Sequence, residues 1–306
     1  MKSKTVIISG ANGYFGGIAC QYFRSLGWKV LKATRLKGDD LFFDLNNPKT
    51  ASIQTEMDVD LFIHAAAAHE VACREDPYQS IYQNVIGTKI ALDFCVSNHI
   101  KKFIYLSTFH VFGDPEGLIN EEAMPCPMND YGMSHLQAEQ YVQMYTATKK
   151  ILGTVIRPSN FFGVPLPIED CKRWSLIPLA FCKEAVETGK IILNTPGFQR
   201  RNFIEVHDIC KVIETVYPLM EKVPLLHIHG KDQLSIREFA YLIQSVIKKE
   251  YNKDIEVIFP EGAHSEKVFQ YESLYLKDIY IPDKRIENFV KELLQCLLIK
   301  KATLTR

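Results

Sequence analysis

The feature that most constrains the fold is a glycine-spaced turn placed between an apolar run and a helical pattern: "KTVIIS" passes directly into "GANGYFGG". Gly10, Gly13 and Gly16 stand at the end of a first strand and the mouth of a first helix. The first glycine permits a tight turn and the second lets backbone approach a pyrophosphate. The amides around Tyr14 and Phe15, with Asn12 inside the turn, aim the positive end of the helix at that anion. A run of glycines carries little weight alone and can be a packing turn. Strand before and helix after, within an alternating chain, is the context that makes it a dinucleotide site.

That alternation continues. "KTVIIS", "KVLKAT", "DLFIHAA", "KFIYLST" and "TVIRP" are short apolar runs, separated by helix-period segments at 14–26, 47–56, 77–98 and 131–148. Continuous apolar strands between amphipathic helices predict a parallel sheet covered on both faces, a doubly wound α/β unit. Residues 113–130 are rich in proline and turn formers and are expected to be irregular, delivering Tyr131 to a helix start. Beyond about residue 160 the elements shorten and mix, with helices expected near 207–220, 235–249 and 283–300. We expect a dinucleotide-binding domain over 1–160, with segments about 201–228 returning to it, and a smaller C-terminal α/β substrate lobe over 161–306. Such a lobe would cap the carboxyl edge of the sheet, where open α/β sheets bind ligands.

Lysine plus arginine and aspartate plus glutamate both total 36, so the chain has no net charge to attract a polyanion, and nucleic acid is not an expected partner. The start "MKSKTVIISG" holds no signal-peptide core, and no apolar run approaches the roughly 20 residues that span a bilayer. A cytoplasmic protein without a membrane partner is expected. The 8 cysteines are scattered without a C-x-x-C pair and the 9 histidines without H-x-x-x-H, so neither disulfides nor a metal is expected; "HIHG" reads as alternation on a strand.

Eight segments in order resemble the extended short-chain dehydrogenase/reductase family, in particular its nucleotide-sugar epimerases, dehydratases and 4-ketoreductases. They are "GANGYFG" at 10–16, "FDL" at 43–45, "HAAA" at 64–67, "NVIGT" at 84–88, "YLSTFHVFG" at 105–113, "YGMSHLQAEQ" at 131–140, "RPSNFFG" at 157–163 and "RNFIEVHD" at 201–208. The resemblance implies a Rossmann sheet and a nicotinamide cofactor, with Asp44 and Leu45 near the adenine and Ala65, Ala66 and Ala67 lining the cofactor side. It implies substrate contacts from Thr108, His110, Asn160 and Arg201, with Arg200 able to share or replace Arg201 and Arg157 structural. It also implies a homodimer through helices 81–98 and 131–148. Asp44 could equally be a turn residue before "NNP". The second strand ends "KATR", with Arg35 and no carboxylate, which favours NADP over NAD because arginine pairs with a 2′-phosphate.

Hydride transfer at a sugar carbon needs a group to give or take a proton and another to hold the same oxygen. The resemblance assigns these to Tyr131 and Thr108, with Ser107 as the neighbouring alternative. A literal Y-x-x-x-K occurs elsewhere, at Tyr145 and Lys149, near the other end of the helix. Position selects Tyr131, whose partner four residues on is then His135 where the family has lysine. Residues four apart share a helix face, so His135 still looks toward Tyr131 and the nicotinamide ribose. One cation at about 4 Å and an effective dielectric of about 20 is worth about 4 kcal/mol, or roughly three pKa units on a phenol. Without it Tyr131 stays protonated to higher pH, which suits a proton donor in a reduction.

Dehydratases of the family carry an Asp-Glu pair after the threonine; here those positions are Phe109 and His110. A 4-keto-sugar reductase acting on a nucleotide-activated sugar is the expectation. An epimerase that retains its nucleotide, or a dinucleotide-binding sensor or scaffold, stands as the alternative.

Overall fold

A computed structural model describes residues 3–262 and 269–304. The chain runs through β1 (Thr5–Ser9), α1 (Tyr14–Ser25), β2 (Lys29–Thr34), β3 (Leu41–Phe42), β4 (Leu61–His64), α2 (Glu70–Glu75), α3 (Pro77–Ile81), α4 (Gly87–Ser97) and β5 (Lys102–Leu106). It continues with β6 (Gly117–Ile119), α5 (Asp130–Ala147), β7 (Leu152–Pro158), β8 (Asn160–Phe162), α6 (Ile177–Thr188), β9 (Lys190–Ile192), β10 (Arg200–Glu205), α7 (Val206–Val216) and β11 (Leu225–Ile228). The last elements are β12 (Asp232–Ser235), α8 (Ile236–Tyr251), β13 (Glu256–Ile258), β14 (Phe269–Tyr271), α9 (Leu276–Ile279) and α10 (Ile286–Leu304).

Seven strands form one sheet in the order β11-β7-β5-β4-β1-β2-β3, with every pairing parallel. The order reverses between β1 and β4, and the turn after β1 opens at that switch point, where doubly wound sheets hold nucleotides. Alternation along β1 divides the core. Val6 and Ile8 pack with Ile18, Phe23, Ile209 and Ile213 under α1 and α7, while Ile7 packs with Phe94, Val142 and Tyr145 under α4 and α5. Each fully buried Phe or Ile contributes about 1.5–3 kcal/mol, so both helix layers are firmly attached.

A second core of Phe162, Leu179, Phe203, Phe239, Ile243, Phe289 and Leu293 joins α6, α8 and α10 to the strands β8 and β10. α8 starts at a complete capping box, Ser235 with Glu238, worth about 0.5–2 kcal/mol.

Some expectations change. The helix expected at 47–56 is a single 3₁₀ segment, Pro48–Ser52, because Asn47 caps it and the chain then leaves in extended conformation at Ile53. Residues 113–130 are not wholly irregular: Gly117–Ile119 pairs in parallel with Phe269–Tyr271, a partner far along the chain. The helix expected over 77–98 is a run of α3, a π turn at Tyr82–Ile86 and α4.

Candidate active site

The glycine turn has the shape a pyrophosphate needs. Gly10 has φ +71°, and a Cβ there would lie 2.9 Å from the backbone of Ala66; one on Gly16 would lie 2.2 Å from the Gly10 carbonyl. Both glycines are therefore required by packing. A Cβ on Gly13 would meet just the Gly10 carbonyl, at 3.0 Å. That face is open, and α1 begins there with no side-chain cap and no acidic residue in its first turn. Unscreened amides at a helix start are what an anion binds, so the residues present fit a dinucleotide. Phe15 is buried. The Tyr14 ring stacks on Phe161 at 5.9 Å and its hydroxyl donates to the Gly163 carbonyl at 2.6 Å, tying the turn to the chain after β8. Ala65 and Ala66 run beside Gly10, donating their amides to the Ser9 hydroxyl at 3.2 and 3.3 Å.

At the end of β2 the structure adds a residue that sequence reasoning missed. Arg35 is exposed, but the turn through Gly38 folds Asp39 back onto the strand end. Its carboxylate accepts from the Thr34 hydroxyl at 2.5 Å and from Asn12 at 2.7 Å. The Thr34 hydroxyl, with Asn12 assisting against partial burial, holds the Asp39 carboxyl below its ordinary range. A carboxylate thus does stand where the sequence shows none. Asp44 accepts from the Asn46 amide at 3.0 Å, as a turn residue does, and Leu45 is buried against Gly87, whose Cβ would lie 2.8 Å from it.

The segment after β5 and the start of α5 bring the candidate residues together. Thr108 caps the 3₁₀ segment Phe109–Phe112 after β5, and its oxygen accepts the His110 amide at 3.2 Å, leaving its hydrogen to donate. Ser107 is committed elsewhere: its hydroxyl donates to Glu139, which also receives the fork of Arg157 at 2.9 and 2.6 Å in the core. Tyr131 lies in the first turn of α5, which Asn129 caps through the Gly132 amide at 2.8 Å. A Cβ on Gly132 would lie 2.4 Å from the His110 carbonyl. This glycine, also missed, is what lets Tyr131 approach the Thr108 segment.

His135 is 3% exposed, with its ring 4.6 Å from that of Tyr131 at 69°. Its Nδ1 lies 2.7 Å from the Tyr105 hydroxyl, whereas Nε2 is buried with no partner among the described residues. Burial, then the neighbouring His110, drives its pKa down to about 3, so the ring is neutral. Burial and then the Glu70 carboxylate push the Tyr131 phenol up to about 12, against the opposing pull of Thr108 and Arg173.

Glu70 and Arg173 are unforeseen neighbours of Tyr131. Glu70 opens α2, and Arg173 arrives from the segment before α6; they pair at 2.8 Å, with the other terminal nitrogen of Arg173 buried and without a partner among the described residues. They are 103 residues apart, and no local pattern announces them. On the facing lobe Asn160 donates to the Asn202 carbonyl at 3.3 Å and Arg201 to the Arg200 carbonyl at 2.8 Å. The Arg201 charge also reaches His110, whose pKa is lowered by burial first. Arg200 is occupied by Gln233 at 2.9 Å and Glu238 at 3.3 Å. Tyr145 is buried and bonded to Asp93, and Lys149 is an exposed residue at φ 57° beyond the end of α5. Among the described residues no group of His, Cys, Asp or Glu is arranged to hold a metal ion, and no helix is long and apolar enough to cross a membrane.

Known proteins are similar to this chain in sequence and in fold. A mouse dTDP-D-glucose 4,6-dehydratase is 28% identical over 193 residues, 62% of this chain and 53% of the mouse protein; the match thus spans about half the length of that relative. A putative UDP-glucose 4-epimerase of Methanocaldococcus jannaschii is 27% identical over 248 residues, 76% of this chain and 78% of its own. In fold the chain is similar to RMD from Pseudomonas aeruginosa, solved in complex with NADPH, with TM-score 0.83 and 17% identity over 97% of this chain and 100% of that one. It is also similar to a Thermotoga maritima UDP-glucose 4-epimerase solved with UDP-glucose, with TM-score 0.78 and 17% identity over 97% of this chain and 99% of that one. The model of the NAD dependent epimerase/dehydratase family matches residues 6–224, most of the chain and all of the seven-stranded sheet but its last strand, and the chain belongs to that family.

Proposed function

We propose that the protein is a nicotinamide-dependent reductase of a nucleotide-activated 4-keto-sugar, and the observation that carries this is the Tyr131 ring 4.6 Å from a buried His135 that stands where the family resemblance expects a lysine. When bound, the nicotinamide supplies the hydride. The protein's part is to hold the carbonyl oxygen through the Thr108 hydroxyl and to give that oxygen the Tyr131 proton. A phenol pushed up to about 12 is fully protonated at neutral pH and ready to donate, while no cation stands at His135 to help it act as a base. The turn of Gly10, Asn12, Gly13, Tyr14, Phe15 and Gly16 would hold the pyrophosphate, with Ala65, Ala66 and Ala67 alongside. Asn160 and Arg201 would receive the substrate diphosphate, with His110 at the sugar.

Arg35 favours NADP, and Asp39 opposes it. Arg35→Ala should lower, and Asp39→Asn raise, the NADPH over NADH preference by about tenfold each, the scale of one charged contact. A preference unmoved by either variant would remove both residues from the site. We place the enzyme in the cytoplasm as a homodimer through α4 and α5, where Val96, Met133 and Met144 are exposed; sedimentation gives the oligomeric state.

An epimerase reading draws on the Methanocaldococcus relative. The deciding experiment incubates the purified protein with NADPH or NADH and a panel of dTDP- and UDP-linked 4-keto-sugars, following nicotinamide absorbance. Stoichiometric cofactor oxidation supports the reductase. Interconversion of sugar epimers without net oxidation overturns it.

A further inference from the structure

The chain that leaves β8 touches both sides of the nucleotide crevice. That crevice lies between the loops after β1 and β4, the adjacent strands at which the sheet order reverses. Residues 163–176 meet the β1 side first. The Gly163 carbonyl accepts the Tyr14 hydroxyl at 2.6 Å, a Cβ on Gly163 would lie 3.2 Å from Ile18 of α1, and one on Gly17 would lie 3.6 Å from the Leu166 carbonyl. The same segment then reaches the β4 side. Arg173 Nη2 donates to Glu70, the first residue of α2, at 2.8 Å, and the Ser175 hydroxyl donates to the other carboxylate oxygen at 3.5 Å.

The segment is held in two ways that differ in strength. Val164, Ile168, Trp174 and Leu176 pack on the core of α6, α8 and α10, so apolar burial ties it to the substrate lobe. Its hold on α2 is polar: an ion pair whose Arg173 and Glu70 side chains are 17 and 36% exposed. Burial opposes the Glu70 charge, yet Arg173 holds that carboxyl below its ordinary range, so both partners are charged at neutral pH. Water can take over both partners of a partly exposed pair, which therefore opens at far less cost than an apolar core.

We propose that residues 163–176 form a strap over the dinucleotide crevice and that the Arg173–Glu70 pair is its latch, opening with each entry and exit of a nicotinamide nucleotide. The strap is rooted in the lobe, and the latch lets it lift from α2 while the sheet and the glycine turn stay in place. A reductase exchanges its nucleotide at every turnover, and a hold that opens readily suits that demand.

A gate has a kinetic signature that a ligand contact lacks. The nucleotide passes while the latch is open, so a weaker latch speeds entry and exit together and leaves the dissociation constant in place. Loss of a ligand contact acts on the exit rate. Stopped-flow fluorescence of NADH or NADPH with the purified protein measures both rates. Glu70→Gln and Arg173→Gln should each raise both by about three- to tenfold, the scale of a partly exposed charge pair, with the dissociation constant held within about twofold. These variants change net charge in opposite directions, so a rise in both excludes an effect of charge on the anionic ligand. Arg173→Lys, which keeps the charge, should fall between them and wild type, and it decides alone if neither glutamine variant folds. Unchanged rates in folded variants overturn the proposal, and so does a faster exit with unchanged entry. The inference rests on the glycine turn holding the nucleotide. Gated binding without reductase activity would remove the proposed reaction and leave the strap standing, whereas ungated binding in an active reductase would do the reverse. Failure of wild type to bind either nucleotide removes both.

Discussion

The two ends of α5 carry the same residue pattern with opposite results. At the start Tyr131 packs on the ring of His135, four residues on, which is buried and neutral. At the end Tyr145 is sealed in the core on Asp93 and is followed by Lys149, exposed and past the last helical turn. The literal motif lies where its tyrosine is a packing residue and its lysine a solvated helix end. The atypical pair lies where Gly132 permits contact with the Thr108 segment. What separates the two tyrosines is the element that meets each of them, not the residue one turn away.

The sharpest test of that contrast is reciprocal substitution. Tyr131→Phe should lower turnover by about 10²–10⁴-fold, the usual worth of a general acid, and leave the melting temperature in place. Equal activity losses in Tyr131→Phe and Tyr145→Phe would end the comparison. Next in size is His135→Lys. A cation beside the phenol should pull Tyr131 below about 12, so that reduction gains a falling alkaline limb and alcohol oxidation near pH 9 rises by roughly tenfold after screening. An unchanged pH profile would show that charge at this position is irrelevant.

Stability should follow pH through the buried rings. Burial drives His64, His135 and His227 down to about 3, far below the unfolded value of about 6.5. Between these values the unfolded chain binds more protons, so stability is complete above about pH 6.5 and is lost as pH falls toward 3. Urea titrations in acid check this, with His135→Gln expected to show a shallower decline; flat stability from about pH 6.5 to 4 would contradict it. Tyr145→Phe should lose about 1–2 kcal/mol of stability, for a buried bond to a charged acceptor, with little change in turnover. Lys149→Ala should move stability by under about 0.5 kcal/mol and activity not at all.

The sheet was legible because its strands are continuous apolar runs and its helices amphipathic, local properties that survive without tertiary information. The glycine turn was legible for the same reason. Asp39 was not: a strand-end carboxylate is expected in line, whereas this one returns through a glycine turn from five residues further on. Glu70 and Arg173 pair across 103 residues of sequence with no periodicity to link them. The strand Gly117–Ile119 hid in a proline-rich loop because its partner is Phe269–Tyr271, and a two-strand pairing with no local signal is invisible from one side. The 3₁₀ segment at Pro48–Ser52 looks like a longer helix in the sequence because a capped start does not fix where a helix stops.

The bond of Glu139 with Ser107 and Arg157 has a mechanical meaning. A helix lying on a sheet can slide along its axis, and a one-residue slip of α5 would carry Tyr131 about 1.5 Å, enough to spoil alignment with an oxygen held by Thr108. Ser107 is the residue next to Thr108, and Glu139 rides on the helix that carries Tyr131. The residues that follow β5 and the helix α5 are thus fastened to each other in the core. In the proposed reaction the Ser107–Glu139 bond would serve as a datum, setting the distance between donor and clamp before any ligand arrives.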